Sequence, residues 1–386
     1  MPIKNRFAEL HDTVTEWRRD IHAHPELLYD THRTAALVAD KLREFGCDEV
    51  VTGIGRTGVV GVIKGRDTSS GRVIGLRADM DALPITEETG LDYASTHAGV
   101  MHACGHDGHT SMLLGAAQYL CETRNFNGSA VVIFQPDEEG GAGGRAMCED
   151  GMMDRFEIQE VYGMHNWPKV AAGTFAIRSG PFFAASDFFD IAVMGKGGHA
   201  AKPQEAIDPI VVASHIVTAL QTIASRNSDP VQQMVISVTS IESSSKAYNV
   251  IPQSVHIKGT ARTMDTEHRD IAEARLVALA EQIGASFGAT VKATFSRSYP
   301  VMVNHDAQTE FAADVARSVT GQCNDAPLVM GGEDFAFMLE ERPGAYILVG
   351  NGESAPVHHP AYNFNDDIIP IGCSWYAGLI EHGMPI

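Results

Sequence analysis

"FFDIAVMG", residues 188–195, is the stretch on which the fold turns, because it reads as a strand that opens a pattern unlike the rest of the chain. A helical run follows at Pro209–Ser225, then the strands "VQQMVISVTSI" (231–241) and "SVHIKGTART" (254–263). A second helix spans Glu267–Gly288, and "TVKATFS" (290–296) closes the set. The order βαββαβ is the split-βαβ plan of a ferredoxin-like sandwich. Residues 184–298 therefore read as a small domain inserted into a larger one built from 1–183 and 299–386.

The flanking sequence alternates helix and strand. Residues 5–23 and 31–46 carry apolar residues at three- and four-residue spacing, as amphipathic helices do. Short β-rich runs occupy Thr57–Lys64, Val73–Ala78, Ala130–Gln135 and Val161–His165, with a helix expected over Ser111–Glu122. Helix and strand resume at Thr309–Thr320, at "AYILVG" and in a C-terminal helix from about Gly372. This is the pattern of an α/β domain with a mixed or mostly parallel sheet. "GIGRTG" (53–58) matches a dinucleotide fingerprint in letters only. That motif needs a helix after it, so that a pyrophosphate meets a helix N-terminus. Here Val59-Val60-Gly61-Val62-Ile63 follows, so a hairpin turn is expected and a nucleotide-binding oxidoreductase is not.

A chain of 386 residues suits two domains, and 44% hydrophobic with 20% charged residues is ordinary for a globular protein. The net charge of −20 argues against nucleic acid or an anionic membrane as partner, since both need a basic footprint. The opening MPIKNRFAEL lacks the apolar run of a signal peptide, and no stretch is long enough to span a bilayer. The six cysteines form no C-x-x-C pair, and reduced thiols in a cytoplasm are expected.

Chemistry concentrates in "MHACGHDGHT" (101–110). Cys104 and His106 are one residue apart. In an extended segment they point the same way, so thiolate and imidazole converge on one ion of the zinc type. His102 and His109 are open to a core or hydrogen-bonded reading. In α/β sheets function gathers at the carboxyl ends of strands. Asp79 and Asp81 follow "VIGLRA", Glu138 and Glu139 follow "AVVIFQP", and His165 follows "VYGM". Neighbours at a strand end point oppositely, so one glutamate can bind metal while the other faces water. A Lewis acid beside a base is what a metallohydrolase needs. With His358 and His359 in "VHHPAY", the groups suit a two-metal site. A non-catalytic metal-binding or sensor protein would need the ligands alone.

"LRADMDALP", "MHACGHDGHT", "QPDEEGGAGG", "MHNWP", "GKGGHAAKP", "GGEDFAF" and "HHPAYNFND" resemble, in order, the motifs of the M20 metallopeptidase clan. The chain is most similar to its amidohydrolase branch of hippurate hydrolases, N-acyl-amino-acid amidohydrolases and auxin-conjugate hydrolases. The resemblance implies Cys104, His106, Glu139, His165 and His358 as ligands of two divalent ions per subunit, drawn from Zn, Mn, Ni and Co. His358 rather than His359 is chosen by its place before "PAYNFND". Glu138 matches the general base. The wider clan has His-x-Asp where this chain has Asp79-Met80-Asp81. The inserted domain resembles the clan's lid and dimerisation domain, which implies a homodimer or higher homo-oligomer. His199 matches a histidine that approaches the reacting carbonyl, in some relatives from a partner subunit. Asn249 and Arg262 match positions that meet a substrate carboxylate, a task suited to the planar guanidinium.

The implied activity is cleavage of an N-acyl amino acid to a carboxylic acid and a free amino acid. The alternatives are a deacetylase of N-acetylated biosynthetic intermediates and a dipeptidase. No acidic anchor for a substrate's free α-amine is identifiable.

Overall fold

The structure is a computed structural model describing residues 5–386, so the first four residues of the opening segment lie outside the described residues. The chain divides into two compact units. One holds the described residues up to Gly180 with Val303–Pro327 and Asp334–Ile386; the other holds Pro181–Met302 and Leu328–Glu333.

In the first unit, helices α1 (Asn5–Ala23) and α2 (His32–Phe45) precede strands β1 (Glu49–Ile54), β2 (Gly58–Lys64) and β3 (Val73–Asp79). Helix α3 (His106–Thr123) and strands β4 (Ser129–Gln135), β5 (Glu160–Pro168) and β6 (Phe175–Ile177) follow. Together with β13 (Cys323–Asp325) and β14 (Gly344–Gly352) they form an eight-stranded sheet, ordered β1-β2-β4-β3-β5-β14-β6-β13. The centre is parallel: β3 pairs so with β4 and β5, and β5 with β14. The β1–β2 edge is an antiparallel hairpin, so "GIGRTG" is the turn between two strands. All seven residues of β3 are buried, as a strand covered on both faces requires.

Helix α3 begins at His106, five residues earlier than expected, and is buried on nearly every side. It packs against α1 and the C-terminal helix Ile369–Gly383. Such close packing needs small residues: a Cβ on Gly115 would lie 2.8 Å from Cys373 Sγ.

The second unit contains β7 (Ala185–Met194), β8 (Gly198–His199), α4 (Pro209–Thr222), β9 (Met234–Ser243) and β10 (Val250–Ile251). Strand β11 (Ser254–Thr263), helix α5 (Thr266–Ser286) and β12 (Thr290–Tyr299) complete it. The sheet order β9-β11-β7-β12 is antiparallel throughout, the arrangement of a ferredoxin-like sandwich. Strand β11 alternates buried and open residues because one sheet face meets α4 and α5. Asp208 and Asp265 cap those helices, accepting from Ile210 N at 2.9 Å and His268 N at 2.8 Å. The segment Leu328–Glu333, which the sequence pattern assigns to the larger domain, belongs to this unit instead. Backbone pairing draws it there: Val329 N donates to Phe182 O at 2.9 Å, and Val329 O accepts from Ala184 N at 3.0 Å.

Candidate metal centre

The first unit gathers six of the nine expected site residues. Strand β3 ends at Asp79 and carries the chain to Asp81, which is fully buried. Asp81 accepts the backbone N–H groups of Glu138 at 3.0 Å and Glu139 at 3.1 Å, and lies 3.3 Å from His106 Nδ1. One carboxylate thus suspends both glutamates and braces a histidine. Asp81 is absent from the expected ligand and catalytic set, although "RADMD" at a strand end is a signal for it.

Three geometric expectations need correction. Cys104 and His106 do not converge as an extended pair: Gly105 between them is left-handed (φ 92°), and His106 already opens α3. A Cβ on Gly105 would also lie 2.2 Å from Asn166 Oδ1, so only glycine fits this turn. Glu138 and Glu139 do not diverge by strand alternation, because β4 stops at Gln135 and Asp137 is left-handed. Both offer an oxygen within 4.8 Å of each other and of His106. His165 lies inside β5, which runs on to Pro168, rather than at its carboxyl end.

The donors form overlapping groups whose ligand atoms lie within 4.8 Å of one another: Cys104–His106–His165, Cys104–Glu139–His358 and His106–Glu138–Glu139. Cys104 Sγ is 3.4 Å from His165 Nε2, and His358 Nε2 is 3.3 Å from Glu139 Oε1. Of the adjacent pair, His358 is the one whose ring reaches the cluster; His359 Nδ1 accepts from Ala361 N at 3.0 Å. His109 is occupied at both ring nitrogens, by Asp79 Oδ1 and Asn166 Oδ1, each at 2.7 Å. It is a hydrogen-bonded histidine, one of the two roles its sequence context allows. His102 is buried, and burial pushes its pKa down to about 3, so the ring is neutral.

Electrostatics call for a cation. Burial alone would lower His106, but Asp79, Asp81 and Glu139 raise it to about 10. Burial, with Glu139, Glu138 and Asp79, pushes the Cys104 thiol well up. Burial holds His165 well below the usual range, leaving a neutral imidazole of the kind that binds metal. The buried His106 Nε2 has no hydrogen-bond partner among the described residues, a costly state unless something else binds it. Divalent ions fit this set of sulfur, imidazole and carboxylate donors. Cys104, His106 and Glu139 each belong to two of these groups, so the three groups form one continuous donor cluster.

His199, Asn249 and Arg262 lie in the second unit. His199 on β8 pairs with Val250 on β10, and with Asn249 it lines an open depression of about 550 Å³. Arg262 sits at the other end of β11, bonded to Ser186 Oγ. Eight residue-to-residue steps of strand carry the chain from Ser254 to Arg262, roughly 26 Å, so one unit does not bring the three together.

The chain matches the model of peptidase family M20/M25/M40 over residues 75–382. It is 43% identical to a hippurate hydrolase of Campylobacter jejuni over 382 residues, covering 97% of this chain and 98% of that one. It is 42% identical to an N-acetyl-L-cysteine deacetylase of Bacillus subtilis over 353 residues, covering 91% and 83%. Among solved structures, the Bacillus subtilis YXEP protein, described as a dinuclear metal-binding peptidase from the M20 family, superposes with a TM-score of 0.85. It is 33% identical and the match covers 98% of this chain and 99% of that one. The chain therefore belongs to the M20 peptidase family, and its relatives place it in the amidohydrolase branch. It is a metal-dependent hydrolase. No helix among the described residues is long and apolar enough to cross a membrane.

Proposed function

We propose that this protein hydrolyses the amide bond of N-acyl amino acids, releasing a carboxylic acid and a free amino acid. The observation that carries this reading is Glu138 beside the mixed sulfur, imidazole and carboxylate set, with an oxygen within 4.8 Å of His106 and Glu139. When bound, two divalent ions held by Cys104, His106, Glu139, His165 and His358 supply Lewis acidity for the amide carbonyl and for water. Glu138 takes the proton of the attacking water and returns it to the departing nitrogen. Asp81 keeps Glu138 in place through its backbone N–H. His199 stabilises the developing oxyanion, and Asn249 and Arg262 hold the amino acid carboxylate.

The names of the hippurate hydrolase and the N-acetyl-L-cysteine deacetylase support an N-acyl amino acid as substrate, and the second keeps a deacetylase as the alternative. The separation of His199 and Asn249 from Arg262 along β11 supports a homodimer or higher homo-oligomer in which a partner supplies part of the site. The test is release of free amino acid from benzoyl-, acetyl- and indoleacetyl-amino acids by protein loaded with Zn, Mn, Ni or Co. Hydrolysis of the benzoyl or indoleacetyl compounds is expected. Turnover confined to acetyl compounds would establish the deacetylase, and turnover confined to dipeptides with a free α-amine would overturn the proposal.

A further inference from the structure

Two thiols lie together at the far end of α3 from the metal cluster. Cys47 Sγ is 3.6 Å from Cys121 Sγ, across 74 residues of sequence. Cys47 is half-buried in the turn after α2, and Cys121 is buried near the end of α3. The turn is braced from within, since Gly46 is left-handed (φ 85°) and Cys47 N donates to Leu42 O at 3.1 Å. It is also gripped from α3. Arg124, which caps that helix, donates to Gly46 O at 2.8 Å and to Asp48 Oδ2 at 2.7 Å, on either side of Cys47. Lys64 N holds the same Asp48 oxygen at 2.8 Å. The helix end carrying one thiol thus fixes the turn carrying the other. A disulfide has its sulfurs about 2 Å apart, so two thiols already in contact at 3.6 Å need a closure of only about 1.6 Å to form the bond.

We propose that Cys47 and Cys121 form a modification site, an intramolecular disulfide made by exchange with a low-molecular-weight disulfide, RSSR. Cys47, the more accessible member, attacks as thiolate. The Cys47–SR bond forms, the RS–SR bond breaks, and RS⁻ leaves, taking up the proton Cys47 gave up. Cys121 then attacks the Cys47 sulfur as thiolate. The protein S–S bond forms, and the second RS⁻ leaves and takes up the Cys121 proton. Two protein thiols are oxidised and one RSSR is reduced to two RSH.

The bond would join the α2–β1 turn to the end of α3 and restrict the unfolded chain. It lies 15 residues along α3 from His106, about 22 Å at the helical rise, and so leaves the metal donors alone. The hydrogen bond with Cys121, reinforced by burial, pushes the Cys47 thiol above its ordinary range, which makes exchange slow at neutral pH.

Metal-loaded full-length protein is incubated with oxidised glutathione at mildly alkaline pH. Remaining thiols are then alkylated under denaturing conditions and the peptides mapped by mass spectrometry. The expected product is a cross-linked peptide pair joining Cys47 to Cys121, with Cys104, Cys148, Cys323 and Cys373 alkylated. The thermal midpoint should rise by roughly 5 °C and fall back on addition of a dithiol reductant, with bound metal unchanged. Cys47→Ser and Cys121→Ser should each abolish the cross-link. A glutathione adduct on Cys47 that never resolves, a disulfide between other cysteines, or thiols that stay reduced would overturn the proposal. The unmodified chain alone decides among these outcomes, so the test stands even where a variant fails to fold.

Discussion

Glu138 and Glu139 are neighbours in sequence and hang from the same carboxylate, yet the proposed mechanism gives them different work. Glu139 Oε1 lies 3.3 Å from His358 Nε2 and 3.9 Å from His106 Nε2, and Glu139 shares a donor group with Cys104 and His358, the setting expected of a metal ligand. Glu139→Ala or His165→Ala should therefore lower bound metal and activity together. Elemental analysis that finds full metal content in either variant sinks the ligand assignment. Glu138→Gln should keep metal and substrate binding while kcat falls by roughly 10²-fold or more, the scale of a positioned base. Near-normal turnover would mean that another group takes the proton. Asp81 is not among the expected ligands or catalytic groups, but it holds both glutamates and His106. Its replacement by Ala should weaken metal affinity by about 10- to 100-fold with every donor still present. Titration against a chelator reads this directly, and an unchanged affinity would reduce Asp81 to a packing role.

Helices α1 and α3 meet through buried charge as well as apolar surface. Arg18 Nε lies 2.9 Å and His22 Nδ1 2.8 Å from Asp107 Oδ2, and His22 Nε2 lies 3.3 Å from Glu87 Oε1. Asp107 occupies the first turn of α3, where a negative charge also meets the helix dipole. Burial alone would raise Glu87, but hydrogen bonds from His22, Thr89 and the Ser95 N–H hold it down to about 2. Burial works against Asp107 too, and Arg18 and His22 outweigh it, keeping its carboxyl well below the usual range. A carboxyl depressed on folding stabilises the protein above its unfolded value and loses that contribution as pH falls through the folded one. For Glu87 the window runs from 4.5 down to about 2. The unfolding midpoint should drop as pH is lowered through that range, and less steeply in Glu87→Gln. Identical pH profiles for the two proteins would remove Glu87 from the coupling. His22 is raised by Asp107 and Glu87 against its burial, so its own contribution has the opposite sign and fades as pH climbs through its folded value.

At the scale of the whole molecule, the second unit carries His199 and Asn249 at one end of its sheet and Arg262 at the other. If His199 serves a partner's metal cluster, each active site is shared between chains. His199→Ala should then lower kcat by about 10²- to 10³-fold, the scale of one oxyanion donor, with normal metal content. Mixing inactive Glu138→Gln and His199→Ala chains should restore part of the activity, because each mixed dimer regains one intact site. No recovery despite demonstrated subunit exchange would place His199 in its own chain's site or outside catalysis.

What was legible in the sequence was whatever local periodicity and residue chemistry determine. The βαββαβ order of the second unit was readable because strands covered on one face alternate, as along β11, and because α4 repeats its apolar residues at helical spacing. The hairpin at "GIGRTG" followed from the β-rich residues after it. The family followed from motifs spread along nearly the whole chain, and the match over residues 75–382 agrees with it. Only the tertiary structure decided how the donors converge. The left-handed Gly105 turn, the two glutamates hung from Asp81, and the capture of Leu328–Glu333 by the second unit all depend on long-range partners. So does the contact of Cys47 with Cys121. A local pattern specifies which face of an element is apolar; which distant side chain meets it is set by how the elements pack.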